Sequence, residues 1–207
     1  KARRSSGQDS YLLFLELKKA YDSVPQQALW TVLEKLGIPD SFMNLLRNWA
    51  NRRTVKLRLN GALSADIKAS KGLPQGDPLS PLLFNIYISV LMRRIALDGS
   101  FPGVSWPAHA GQPPLTIKDL WYADDMVAIA GSAQELQALL VIIQEWSEDW
   151  GIEVGIGEGK TNGMRVKADG SPEAPLPQLV IGDLPVPWVE EYRYLGHTLR
   201  ADLDTTG

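Results

Sequence analysis

Trp121-Tyr122-Ala123-Asp124-Asp125-Met126-Val127-Ala128-Ile129-Ala130 sets two adjacent carboxylates between two apolar runs. Residues 115–122 and 126–130 are rich in aliphatic and aromatic side chains and read as strands. The two aspartates then fall at or near a hairpin turn. Along a regular strand consecutive side chains point to opposite faces, whereas a tight turn displays both carboxylates near one spot. Aspartate is disfavoured inside strands, so a pair flanked by buried runs needs a reason. By itself the pair reads more readily as a solvated turn than as a site.

Composition narrows the chemistry. The chain has 207 residues, 44% of them apolar, enough for one large domain or two small ones with an ordinary core. It contains no cysteine, which excludes disulfides and cysteine-ligated zinc or iron–sulfur centres. His109 and His197 lie far apart and form no metal-spacing motif. A metal here would be held by oxygen ligands, favouring magnesium or manganese. No run of eighteen apolar residues is evident, and no membrane span is expected. The start, Lys1-Ala2-Arg3-Arg4-Ser5-Ser6-Gly7, is basic without the pattern of a cleavable signal. The net charge of −3 does not advertise nucleic-acid binding. Residues 41–60, however, carry Arg47, Arg52, Arg53, Lys56 and Arg58 and no acid. Such a run suits a phosphate backbone, or equally a solvated helix end and strand face.

Residues 11–17 form a short apolar run that reads as a buried strand, interrupted by Glu16, whose carboxylate needs a partner or a metal there. A turn over residues 18–23 follows, with Ser23 expected to cap a helix over 25–36 that Gly37 ends. A second helix to about Asn51 is expected to be capped by Asp40 or Ser41. Trp30, Leu33 and Leu36 are assigned to the core. Residues 54–59 alternate as a half-buried strand, Asn60-Gly61 marks a turn, and 65–70 is the expected return strand. The Gly/Pro-rich loop 71–81 opens a helix over 79–96, apolar nearly all round and expected to be buried on more than one side. Residues 98–114, which include Trp106 and His109, read as an exposed insertion. Ser132-Ala133-Gln134-Glu135 is a capping box that starts a helix to about Trp150, stopped by Gly151. Short strands are expected at 152–156 and 162–166, around a loop at 157–160. Residues 168–178 read as a Pro-rich linker before a β-like tail. The mixture suggests an α+β fold with an antiparallel sheet and helices on one face.

Four stretches then combine: Phe14-Leu15-Glu16-Leu17-Lys18-Lys19-Ala20-Tyr21-Asp22, Gly72-Leu73-Pro74-Gln75-Gly76-Asp77-Pro78-Leu79-Ser80-Pro81, Tyr122-Ala123-Asp124-Asp125 and Gly159-Lys160-Thr161. In this order and at these separations they resemble the palm of reverse transcriptases, particularly those of non-LTR (LINE-like) retrotransposons. Tyr194-Leu195-Gly196 matches that family's next motif. The resemblance implies a polymerase palm with a ferredoxin/RRM-like core over residues 1–167, including partial fingers elements. Residues 168–207 would be a linker and primer-grip-like β segment leading to a thumb. The fingers and thumb themselves are expected to be largely missing.

The resemblance further implies RNA-directed DNA polymerase chemistry with two magnesium ions, manganese serving as a substitute. Its partners would be an RNA template, a DNA primer and deoxynucleoside triphosphates, acting in the nucleus. It assigns Asp124 as the principal ligand and Asp125 as its support, with Glu16 and the backbone carbonyl of Leu17 completing the metal site. Lys160 would approach the departing pyrophosphate and donate a proton. Tyr21 would lie beneath the incoming sugar, Gly72, Leu73, Pro74, Gln75 and Gly76 against the template base and nucleotide, and Tyr194, Leu195 and Gly196 under the primer end. Two positions depart from the family. Asp77 stands where many members have Cys, and Glu16 where they have Asp. The extra methylene displaces the carboxylate, and a misplacement of about 1 Å can cost on the order of 10²-fold in rate. Weak or absent activity is therefore expected, and the competing reading is an inactive reverse-transcriptase-like module that scaffolds RNA or protein.

Overall fold

The structure is a computed structural model and describes residues 3, 6–106, 113–157, 159–202 and 205–206. His109 and Glu158 lie outside the described residues, as does most of the basic start. The principal strands are β1 (Ser10–Leu15), β2 (Asp119–Tyr122), β3 (Asp125–Ala130), β4 (Asn162–Val166), β5 (Glu191–Tyr194) and β6 (His197–Arg200). The longer helices are α1 (Gln26–Lys35), α2 (Asp40–Asn51), α3 (Ser80–Leu97) and α4 (Ala133–Trp150). The chain divides into two compact units. The first comprises Lys1–Lys18, Leu91–Asp149 and Glu153–Gly207, and the second Lys19–Val90 and Trp150–Ile152.

The first unit is built on a four-stranded antiparallel sheet in the order β4-β1-β3-β2. β1 is central, which explains its continuous apolar run: Leu13, Phe14 and Leu15 point alternately to two faces and all are buried. Burial of each such side chain contributes about 1.5–3 kcal/mol. On one face Phe14, Val127 and Met164 form a cluster under Leu12, Val189, Tyr192, Tyr194 and Leu199. The hairpin β5–β6 therefore covers this face, and the Phe14 and Tyr192 rings stack at 4.1 Å and 9°. The other face carries Leu13, Leu15, Met126, Ala128 and Ala130, all buried. α4 presents a matching stripe of Leu136, Leu139, Leu140, Ile143 and Trp146. The expected α+β sheet is present, and the β-like tail supplies the hairpin that roofs one face, a packing that local patterning did not foretell.

Two local signals near the sheet appear as expected. Ser132 Oγ accepts the Glu135 N–H at 3.2 Å, and the Glu135 carboxylate accepts the Gly131 N–H at 2.9 Å. Gly151, at φ 75°, ends α4. Elsewhere the ladder is more broken than periodicity suggested. The apolar run 115–122 splits at Lys118 into Leu115–Ile117 and β2, because Leu115–Ile117 pairs with Val104–Trp106 instead of β3. Residues 98–114 are thus not simply an exposed insertion: Phe101 and Val104 are buried, and Trp106 lies opposite Leu115. Lys118 Nζ donates to the carbonyls of Ile95, Ala96 and Asp98, satisfying the end of α3. Residues 152–156 make isolated bridges, Leu17 with Val154 and Ile156 with Thr161, not a strand.

In the second unit, α1 and α2 bury Leu29, Trp30, Val32 and Leu33 against Met43, Leu46 and Ala50. Leu36 is exposed rather than core, because it falls at the C-cap after the helical face has ended. Neither helix has a side-chain cap. Ser23 ends a short helix, Ala20–Ser23, and prolines 25 and 39 hold the two N-cap positions. Asp40 instead lies in the first turn of α2, where its charge favours the helix dipole. Asn60 and Gly61 both take positive φ, 49° and 83°, as a tight hairpin needs. The flanking ladders are only two residues long, and they are exposed, not half-buried.

α3 buries one broad stripe (Leu83, Phe84, Tyr87, Ile88, Leu91, Ile95), while Leu82 and Leu97 are exposed. The apolar residues on its remaining side are therefore left partly in solvent, although the composition is apolar nearly all round. By length and composition alone α3 also passes for a membrane span, which residue counting had not anticipated, but its stripe is that of a core helix.

Candidate active site

The sheet register brings the acidic residues together. β1 and β3 pair as far as Leu15 opposite Met126, which brings the next residue, Glu16, toward Asp125, close enough for their charges to interact. Alternation puts Glu16 on the Phe14 face, and the same alternation puts Asp125 on the Val127 face, which is the same side of the sheet. Beyond Asp125 stands Tyr122, its ladder partner in β2. The turn between them is Ala123-Asp124, with Ala123 at φ 54°. Asp124 is thus the turn carboxylate and Asp125 begins the strand. Non-glycine residues in the left-handed region cost on the order of 1 kcal/mol, and such strain gathers at functional turns.

Lys160 approaches Glu16 from the opposite side. Its Nζ donates to a Glu16 carboxylate oxygen in an ion pair that spans 144 positions of sequence. Two contacts hold the backbone beneath: the Glu16 N–H donates to Thr161 Oγ1 at 3.2 Å, and the Gly155 N–H donates to the Glu16 carbonyl at 2.8 Å. Tyr192 donates its hydroxyl to the Lys160 carbonyl at 2.8 Å. Thr161 was quoted beside Lys160 without a role of its own, and Tyr192 was not singled out from sequence. Thr161 is fully buried, and Tyr192 meets the site through its stack on Phe14 as well as through the Lys160 carbonyl. Their only local signals were Thr161 beside Lys160 and the two-residue spacing of Tyr192 and Tyr194.

The electrostatics match this convergence. Burial raises the Asp125 carboxyl above its ordinary value, and the neighbouring Asp124 and Glu16 charges raise it further. Tyr192 is pushed up to about 12, chiefly by burial and then by Glu16 and Asp125. Tyr194 shifts upward for the same reasons, burial and then Asp125. Three hard oxygen donors that repel one another suit a divalent cation. The Leu17 carbonyl suits it too. In the Leu17–Val154 bridge the bonding groups are Glu16 C=O and Lys18 N–H, so the Leu17 carbonyl points to the other side of the strand. Yet among the described residues no three acidic or histidine side chains are close enough to hold an ion. Glu16 is engaged with Lys160 instead.

Tyr21 and the glycine loop belong to the second unit and are assembled there. Leu73 N–H donates to the Tyr21 carbonyl and Gly72 N–H to the Val24 carbonyl, both at 2.8 Å. Arg53 donates to the Gly72 carbonyl at 3.0 Å while its guanidinium lies over Trp49 at 5.4 Å. Gly72 sits at φ 82°, and a Cβ there would stand 2.7 Å from the Asp22 carbonyl oxygen. The Tyr21 ring stacks on Phe84 at 4.6 Å. Leu73 is buried, so its side chain is core and only its backbone faces the loop, whereas Gln75 and Gly76 are exposed. Asp77 accepts the Leu79 N–H at 2.8 Å just before α3, a structural use for that acid. In the first unit, Tyr194 leans on Phe14, and Leu195-Gly196 form the β5–β6 turn at φ 49° and 83°. The basic run is only partly free: Arg47 pairs with Glu34, and Lys56 with Asp66 at 3.4 Å.

The sheet thus gathers a glutamate at the end of the central strand, a turn aspartate, a strand aspartate and a lysine from a following loop. The reverse transcriptase (RNA-dependent DNA polymerase) family profile matches residues 1–199, and the chain belongs to that family. Its relatives are polymerases of non-LTR retrotransposons. It is 30% identical over 145 residues to the Pol polyprotein of the type-1 retrotransposable element R2 of Nasonia vitripennis, covering 70% of this chain and 13% of that protein. The type-2 element R2DM of Drosophila melanogaster matches at 26% over 195 residues, 90% of this chain and 17% of that protein. The RNA-directed DNA polymerase of the mobile element jockey of Drosophila funebris matches at 25%, over 92% of this chain and 19% of that protein. The chain thus spans well under a third of these relatives. In fold it is similar to apo telomerase from Candida tropicalis truncated from the C-terminal domain, with a TM-score of 0.62 and 16% identity, over 96% of this chain and 35% of that one.

Proposed function

We propose that this chain is the palm of an RNA-directed DNA polymerase of non-LTR retrotransposon type, extending a DNA primer on an RNA template from deoxynucleoside triphosphates. The observation that carries this reading is the β1–β3 register, which ends with Leu15 opposite Met126 and so brings Glu16 toward Asp125, beside the Asp124 turn. Residues 1–167 form the palm with partial fingers elements, and 168–207 lead into the primer-side β segment. Asp124, Asp125, Glu16 and the Leu17 carbonyl would hold two magnesium ions. Those ions supply activation of the attacking 3′-oxygen and charge neutralisation on the leaving pyrophosphate. Lys160 donates a proton to the departing pyrophosphate. Tyr21 lies under the nucleotide sugar, and residues 72–76 line the template base and nucleotide. Tyr194, Leu195 and Gly196 support the primer end.

Glu16 makes this palm a slow one. Its carboxylate is longer than aspartate by one methylene and is held by Lys160. Primer extension by the full-length parent tests both statements. Glu16→Asp is expected to raise synthesis by on the order of 10²-fold, and Asp125→Ala to abolish it. Synthesis that survives Asp125→Ala would rule out the site.

A further inference from the structure

We propose that Tyr192 is the positioning residue for Lys160: its hydroxyl fixes the backbone from which the lysine delivers its proton, and it does so from the hairpin that supports the primer end. This rests on the reading of the chain as a polymerase palm and adds a residue that lies outside the motif stretches.

Three observations carry it. First, Lys160 stands just before β4 begins, beyond the end of the ladder to β1. There its carbonyl accepts the Tyr192 hydroxyl at 2.8 Å. The loop leading to it is permissive. Gly157 and Gly159 both take positive φ, 132° and 67°, and a Cβ at either would meet nothing within 4 Å. A backbone that free on one side takes its position from what holds it on the other. Second, Tyr192 is itself located by its ring, which stacks on Phe14 at 4.1 Å and 9°. Phe14 lies on β1, the strand that leads into Glu16. One side chain thus touches both the strand before Glu16 and the backbone of Lys160, whose Nζ donates to the Glu16 carboxylate. Third, Tyr192 closes a seam between the segment after Lys160 and the segment that enters β5. Gly163 N–H donates to the Pro187 carbonyl at 2.9 Å, and Val189 N–H to the Gly163 carbonyl at 2.8 Å. A Cβ at Gly163 would stand 2.8 Å from the Trp188 ring, so glycine permits this close approach.

The same hairpin ends in the Leu195-Gly196 turn. Seating of the primer end and placement of the lysine therefore share one element. The Lys160 side chain is 48% exposed, so its head is free to leave Glu16 for the departing pyrophosphate while its base stays fixed. An acid whose base is misplaced loses rate rather than binding, because its proton is needed only in the transition state.

The test is single-nucleotide incorporation by the full-length parent, read as the maximal rate and as KM for the deoxynucleotide. Tyr192→Phe keeps the ring and removes only the hydroxyl. It is expected to lower the maximal rate about tenfold, the worth of one hydrogen bond, with KM and primer affinity unchanged. Lys160→Ala should lower the rate on the order of 10²-fold, and Tyr192→Phe should add nothing in that background. Hydrogen exchange at the Lys160 and Thr161 amides should rise in Tyr192→Phe. The proposal is overturned, with the polymerase reading intact, if Lys160→Ala slows incorporation while Tyr192→Phe leaves the rate or the exchange unchanged. It is overturned likewise if Tyr192→Phe acts through KM or primer affinity, or slows both backgrounds by the same factor. If synthesis is indifferent to Lys160→Ala, or survives Asp125→Ala, the reading of the site falls and the proposal with it.

Discussion

Removing the Asp9 carboxylate should destabilise the protein more than removing any exposed ion pair. Asp9 sits just before β1 and receives Arg165, from β4, at 2.6 and 2.8 Å, together with the Ala168 N–H at 2.8 Å. The two side chains are only 14% and 9% exposed, so the pair is largely shielded from water. Arg165 also donates to the carbonyls of Pro172 and Ala174, which pins the Pro-rich segment to the sheet edge. Asp9→Ala would leave a buried guanidinium short of its counter-charge. Breaking such a pair costs about 3–5 kcal/mol. Because Arg165 keeps its carbonyl acceptors, the lower end, about 3 kcal/mol, is expected. For a chain of this size that corresponds to a fall of roughly 6–12 °C in Tm.

The assay is a double-mutant cycle by thermal or urea unfolding, with Asp9→Ala, Arg165→Met and both. A coupling energy on the order of 2 kcal/mol is expected. The Lys18–Glu153 pair, 60% and 75% exposed, serves as the control and should couple by less than 1 kcal/mol. Equal coupling in the two cycles would refute the reasoning. The pH dependence gives a second check. Burial alone would raise the Asp9 carboxyl, but hydrogen bonds from Ala168, Arg165 and Ser171 outweigh it and hold the group below its ordinary value. A depressed folded value means stability that is present above the unfolded value near pH 4 and lost as pH falls through the folded one. Asp9→Ala should therefore flatten the acid limb of the stability curve.

Three further outcomes are expected. Tyr192→Phe keeps the stack on Phe14 but loses the bond to the Lys160 carbonyl, for about 1 kcal/mol, whereas Tyr192→Ala should cost about 3 kcal/mol; urea midpoints compare the two. Gly72→Ala meets both a left-handed φ and the Asp22 carbonyl, and should lose at least about 2 kcal/mol by differential scanning calorimetry. Asp125→Asn should raise Tm at neutral pH by a few degrees while removing metal binding, because burial and the Asp124 and Glu16 charges oppose its ionised form. The sign follows from a raised folded value: what Asp125 contributes to stability is present at low pH and lost as pH rises through that value.

The local features were largely legible. The central strand, the hairpin around Ala123-Asp124, the capping box at Ser132 and the stop at Gly151 each rest on contacts within a few residues, which periodicity and turn chemistry report. The errors come from one helix end and from tertiary pairing. Leu36 had helical spacing but falls at the C-cap. Residues 152–156 had strand composition but find no full-length partner. The 115–122 run looked continuous but is divided between two partners at Lys118.

What the sequence determined by itself is most of the principal elements and the inventory of chemical groups. Adjacent aspartates at a turn, a carboxylate ending the central strand, a glycine-rich loop and a lysine beyond the last helix are all visible in order. What only the tertiary structure decided is which groups meet. Register brings the end of the central strand, and with it Glu16, toward Asp125, a 144-residue separation closes in the Lys160 ion pair, and the β5–β6 hairpin roofs the sheet through Tyr192. The reason is physical: local propensity acts over one turn or one pair of residues, whereas these contacts exist only after the loops between them have closed and distant strands have taken their register.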